Sequence, residues 1–182
     1  MDLTFVSTNA GKFREVRTIL AEYGVEVRWL RRELPEIQAD RLESVVDAKL
    51  AVAAKLAPGV LVEDSGVFIP GLGGFPGVYS AYALRTIGLE GILRLVRGRS
   101  RDALFRAVAG VSLDARRWMR SGECRGRIAH GIRGRHGFGY DPIFIPDGET
   151  QTFGQLSAAE KNRRSHRAQA FRRVGRLLQQ IE

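Results

Sequence analysis

Glu63 and Asp64 stand side by side after the unbroken apolar run Val60-Leu61-Val62 and before Ser65-Gly66. Two carboxylates at the end of such a run are costly to desolvate without a partner. Mg2+ is a natural one, since it takes oxygen ligands at about 2.1 Å and keeps waters that can attack a phosphate. A turn whose acids face solvent is the plainer alternative. Glu36, in the loop Leu34-Pro35-Glu36-Ile37-Gln38, is a further candidate ligand that alone cannot be told from a surface acid.

Ser7-Thr8-Asn9-Ala10-Gly11-Lys12 sits where a first strand must turn into a helix. Free N–H groups and the positive dipole end make such a turn receptive to phosphate. Ser7 and Asn9 add short hydrogen-bonding side chains there, and Lys12 a point charge. Equally, Asn9 is a helix cap and Lys12 a surface residue. The spacing of glycines before the lysine is not that of a P-loop.

Two further stretches carry rings and donors. His136-Gly137-Phe138-Gly139-Tyr140-Asp141-Pro142 spaces two aromatics with glycines, which lets backbone and a stacking side chain approach a flat base. A tight turn with two core aromatics would look the same. Lys161-Asn162-Arg163-Arg164-Ser165-His166-Arg167, at the start of the last helix, offers donors to a purine O6 or to phosphate. A solvated basic helix start is the bland alternative. One cysteine and three scattered histidines lack the spacing of a zinc site. His130 is read as a structural strand residue.

The elements that must position these residues follow from apolar periodicity. Leu3 to Val6 reads as a buried strand, and Phe13, Val16, Ile19, Leu20 and Tyr23 recur as a helix ended by Gly24. Val25 to Leu30 is a second strand, Leu42 to Leu56 a second helix, and Val60 to Val62 opens a central strand. After the glycine-rich Gly71 to Gly77 comes a helix through Ile92, Leu93 and Val96. Phe105 to Leu113 and Arg125 to Ile132 pair as antiparallel strands, with Trp118 to Glu123 as their connection. Ser157 and Glu160 have capping-box spacing ahead of one terminal helix with Phe171, Val174 and Leu178 on its apolar face. Strands alternating with helices predict an α/β domain.

The 182 residues suit a single domain spanning 1–182. No window nears the ~20 apolar residues of a membrane span, and the N-terminus lacks the apolar core of a signal peptide. A lone Cys124 fits a reducing, cytoplasmic setting. The net charge of +9 admits a nucleic-acid binder or a protein that attracts small polyanions. With 25 arginines to four lysines, each remaining lysine marks a candidate site for a compact ammonium.

Together the stretches resemble the inosine triphosphate pyrophosphatase family, from Phe5 to Phe171 and in the family's order. Thr8-Asn9-Ala10-Gly11-Lys12, Glu63-Asp64-Ser65-Gly66 with Leu72 to Ser80, and Gly137 to Phe144 with Glu160-Lys161-Asn162 and Ser165-His166-Arg167 carry the likeness. Ala81-Tyr82-Ala83 after Ser80 stands where bacterial members tend to have arginine, so the chain is similar to the archaeal and eukaryotic branch. The resemblance implies an elongated mixed sheet with flanking helices, two lobes around a nucleotide-binding cleft, and a homodimer. It implies Mg2+ held by Glu36, Glu63 and Asp64, with Asp64 catalytic. Ser7, Asn9, Lys12 and Lys49 would bind the triphosphate, and Ser65, Phe138, Tyr140, Asp141, Lys161, His166 and Arg167 the rest of the substrate. The expected reaction is hydrolysis of ITP, dITP and XTP to monophosphate and pyrophosphate, without nucleic-acid or membrane partners. A Maf-type pyrophosphatase is disfavoured, because Ala10-Gly11-Lys12 replaces the paired arginines its opening turn would carry.

Overall fold

Leu3, Phe5 and Val6 are all but fully buried, as their apolar run requires, and they form strand β1 (Asp2–Val6). The computed structural model describes residues 1–181. Asn9 stops the strand by capping helix α1 (Ala10–Ala21), whose Val16, Ile19 and Leu20 are buried. The chain returns in β2 (Glu26–Leu30), parallel to β1 with Phe5 opposite Trp29. A second crossover follows. Helix α2 (Leu42–Ala53) buries Val45, Val46 and Leu50 and leads into β3 (Gly59–Phe68), which also runs parallel to β1.

Helices α3 (Ser80–Thr86) and α4 (Gly88–Leu95) precede the long strands β4 (Asp102–Leu113) and β5 (Arg116–Ile128). β6 (Phe144–Pro146) pairs antiparallel with β5. The chain closes with α5 (Ala158–Arg164) and α6 (His166–Ile181). The six strands form one mixed sheet in the order β2-β1-β3-β4-β5-β6. The expected α/β class with flanking helices is therefore correct.

Several expected boundaries are not. Glu63 and Asp64 lie inside β3, which runs on to Phe68, because Val67 and Ile69 continue the buried apolar pattern beyond the acids. Trp118 to Glu123 belongs to β5. The connection is instead Asp114 and Ala115, both at positive φ, a two-residue link that only an antiparallel pair can use. β5 ends at Ile128, so His130 lies outside it and is exposed. The terminal helix is two helices. Ser165 takes extended backbone and separates α5, with the capping box of Ser157 and Glu160 in place, from α6.

The chain divides into two compact units. The first comprises Met1–Asp64, Ala107–Gly122 and the chain from His166 onward. Its core joins Leu3, Phe5 and Leu61 to Val16 and Ile19 of α1 and to Phe171 and Val174 of α6. The second comprises Ser65–Arg106 and Glu123–Ser165, around Val67, Ile92, Phe105, Phe144 and Phe153.

Candidate active site

The pleat of β3 decides where its two acids go, since successive side chains leave a strand on opposite faces. Leu61 packs with residues of α1 and α6. Val62 lies on the α2 side, where a Cβ on Gly110 would meet Val46, Val62 and Leu50. Glu63 follows Leu61 in this alternation and Asp64 follows Val62. Their partners differ accordingly. Glu63 Oε2 lies 2.6 Å from Lys12 Nζ, and its Oε1 accepts from Arg167 Nε at 3.2 Å and Nη2 at 3.0 Å. Arg167 Nη1 also donates to Glu15 at 2.7 Å. On the other face Lys49 Nζ donates to Asp64 Oδ1 at 2.7 Å and to Glu36 Oε1 at 2.9 Å.

These contacts arise from ordinary local structure. The Ser7 hydroxyl accepts from Asn9 N–H at 3.1 Å, and the Asn9 side chain accepts from Lys12 N–H at 3.0 Å. Asn9 is thus the cap of α1, and its bond is to the backbone of Lys12, leaving the lysine side chain to its partner Glu63. Glu15 follows Lys12 by three residues on α1, so both lie on one face of it. Gly122 of β5 admits the start of α6, since a Cβ there would run into the His166 carbonyl oxygen. His166 and Arg167 are both buried in consequence. Burial pushes Asp64 above the ordinary carboxylate range, against the pull of Lys12 and Lys49 and with a further push from Glu63. Burial also works against the charge of Lys49, but Asp64 and Glu36 outweigh it and hold the ammonium above its usual value.

The second unit presents the aromatic stretch. Asp141, buried, accepts from Phe138 N–H at 2.8 Å and from Lys161 Nζ at 2.6 Å. Lys161 Nζ also stands 4.8 Å from the centre of the Phe138 ring. Phe138 is half-buried and Tyr140 buried. The Tyr140 hydroxyl donates to the Ser80 carbonyl at 2.8 Å, and burial raises its pKa. Ser80 in turn donates to Gly77 O and accepts from Val67 N–H. Gly66 lets that turn lie on β3, because a Cβ there would run into Gly77 O. Ser65 is half-buried in the same strand.

Among the described residues no three His, Cys, Asp or Glu side chains cluster as a ready metal cage. The Asp64–Lys49–Glu36 arrangement nevertheless fits a hard divalent cation. Two carboxylates converge on one cationic nitrogen, their donors are all oxygen, and the Glu36 side chain is 65% exposed, leaving room for water ligands.

Within the first unit the structure links Lys12, Glu63 and Arg167, with Ser7 and Asn9 at the start of α1, and separately joins Asp64, Lys49 and Glu36 on the other face of β3. Within the second it joins Phe138, Asp141 and Lys161, and ties Tyr140 to Ser80. Sequence reasoning does not single out Glu15 or Ser80 as parts of these networks. The spacing of Glu15 from Lys12 is the signal that could have found it; Ser80 has none beyond its place in the Gly77-Val78-Tyr79-Ser80 stretch.

Comparison with known proteins finds relatives over nearly the whole chain. The model of the Ham1 family matches residues 3–176. The chain is 48% identical over 174 residues to the dITP/XTP pyrophosphatase of Pyrococcus horikoshii, covering 94% of each chain. It is 44% identical over 182 residues to the dITP/XTP pyrophosphatase of Thermococcus kodakarensis, covering 99% of this chain and 98% of the other. The Ham1 protein of Staphylococcus aureus superposes with a TM-score of 0.85 at 29% identity over the whole of both chains, and that of Coxiella burnetii with 0.83 at 25% over 99% of each. A family match over nearly the full length, with the same fold and relatives this similar, establishes that the chain belongs to the Ham1 family.

Proposed function

We propose that this protein hydrolyses deaminated purine nucleoside triphosphates, ITP, dITP and XTP, to the monophosphate and pyrophosphate. The observation that carries the reading is the Asp64–Lys49–Glu36 arrangement, with Lys12 at the capped start of α1, in a chain so similar to dITP/XTP pyrophosphatases. Asp64 and Glu36 would hold Mg2+, which when bound would supply charge neutralisation and a Lewis acid for the triphosphate. Asp64 accepts the proton of the attacking water, a role that its raised pKa suits. The water oxygen bonds the α-phosphorus as the bond from that phosphorus to the α,β-bridging oxygen breaks. Lys12, Lys49, Ser7 and Asn9 hold the departing pyrophosphate, so positioning and charge supply most of the acceleration.

The base is assigned to the Phe138 ring, with Tyr140, Asp141 and Ser65 supporting it and donors from Lys161, His166 and Arg167. Hypoxanthine and xanthine present an acceptor at C6 where adenine presents a donor, and buried donors can reject the wrong partner by ~10⁴-fold. A homodimer is supported by the family likeness and by exposed Phe75, Tyr79 and Tyr82. A cytoplasmic, freely soluble enzyme is supported by its single free cysteine and by the lack, among the described residues, of a helix long and apolar enough to cross a membrane.

Hydrolysis of ITP with Mg2+ in ¹⁸O-water tests the reaction. The label is expected in IMP, with pyrophosphate as co-product and no turnover in EDTA. Release of orthophosphate, or label in pyrophosphate, would place the attack elsewhere and overturn this reading.

A further inference from the structure

We propose that Glu63 is a positioning residue and not a metal ligand: its buried carboxylate sets Lys12 with one oxygen and Arg167 with the other. The inference rests on the reading that Lys12 meets the triphosphate. It departs from the expectation that adjacent acids share one metal.

The pleat gives the first reason. Asp64 and Glu36 meet through Lys49, whereas Glu63 points to the α1 and α6 side. Burial gives the second. The Glu63 side chain is 0% exposed, while Mg2+ bound to proteins usually keeps several waters. Occupancy gives the third, since both Glu63 oxygens already contact cationic groups at 2.6–3.2 Å.

Charge explains why such a group would be kept. Glu15, Arg167, Glu63 and Lys12 form a chain of alternating sign. Two acids and two bases balance, which is the condition for tolerating buried ions. Neutralising Glu63 would leave Lys12 and Arg167 facing one another without the anion between them. A flexible lysine would then lose its fixed direction and pay for ordering when substrate arrives. Arg167 stands beside His166 at the start of α6, so the same carboxylate ties a residue assigned to the base to one assigned to phosphate.

Glu63→Gln keeps the shape and removes the charge. Its expected effect is a rise of about tenfold in KM for ITP with a smaller change in kcat. Mn2+ affinity of the nucleotide-free protein, read by electron paramagnetic resonance, should stay within twofold of the parent. Adding Lys12→Ala to that variant should cost less than threefold more, because the lysine has already lost its direction. Glu15→Gln, at a less buried site, covers the case in which Glu63→Gln fails to fold. It should raise KM for ITP severalfold with Mn2+ affinity unchanged. A tenfold loss of Mn2+ affinity in Glu63→Gln, or unchanged KM in whichever of the two variants folds, would overturn the proposal. Failure of the parent protein to release pyrophosphate from ITP would instead sink the reading beneath it.

Discussion

Lys12, Lys49 and Lys161 each hold a carboxylate, whereas Lys55, the fourth lysine of a chain with 25 arginines, is exposed. Where a compact ammonium must reach between acids, a planar guanidinium is a poor substitute. Composition alone marks all four lysines as candidates, and it is the family resemblance that separates these three from Lys55. The roles of the acids are less legible, because Glu63 and Asp64 are equivalent as letters and only the pleat separates them. Asp64 bears the clearest consequence. Its pKa is raised, so the folded chain holds this proton more tightly than the unfolded chain does. The group's contribution to stability is fully present below the ordinary carboxylate value of 3.8 and is lost as pH rises through the elevated folded value. The charged form of this side chain is thus a cost to the fold. Asp64→Asn should lower kcat by at least ~10²-fold, nearly 3 kcal/mol of barrier, and should also raise the melting temperature measured in EDTA. A fall in melting temperature would show that the Lys49 ion pair outweighs desolvation. Turnover near that of the parent would remove Asp64 from the chemistry.

At the scale of elements, the parts with strong local chemistry are legible in the sequence and those set by distant packing are not. Asn9 and the capping box of Ser157 and Glu160 are local signals. The end of β3 is hidden because two acids break an apolar run whose buried character resumes at Val67. The β4–β5 turn is hidden for a related reason. Both of its residues sit at positive φ, Asp114 at 48° and Ala115 at 61°, which in a two-residue hairpin usually calls for Asn-Gly or Asp-Gly. Alanine in that region costs about 1–2 kcal/mol, and glycine's larger entropy loss returns about 0.5–1 kcal/mol of that. Ala115→Gly should therefore stabilise the protein by about 0.5–1 kcal/mol, visible as a melting temperature a few degrees higher. None of the assigned site residues belongs to this turn, so ITP turnover should be unchanged. A lower melting temperature would mean that the alanine methyl packs favourably enough to offset its backbone strain.

At the scale of the whole chain, the net charge of +9 allows two readings that composition does not separate. The family match and the carboxylates of β3 favour a small polyanion over a nucleic acid. The charge is unevenly spread, because Ser65–Arg106 and Glu123–Ser165 together hold 13 basic residues against 7 acidic ones. Most of these arginines, among them Arg125, Arg127, Arg133 and Arg135, are exposed, so their effect on a triphosphate is long-ranged and open to screening. The Debye length falls from about 10 Å at 0.1 M salt to about 3 Å at 1 M. The buried pairs of Lys12 and Lys49 are screened far less. Raising sodium chloride from about 0.05 to about 0.5 M should accordingly lower kcat/KM for ITP severalfold through the encounter step, while kcat stays within about twofold. IDP, with less charge, should show a shallower dependence in competition binding, and an uncharged inosine almost none. If kcat fell with salt as steeply as kcat/KM, the charges that matter would be those at the reacting centre. If neither moved, the arginine surplus would have no part in catalysis.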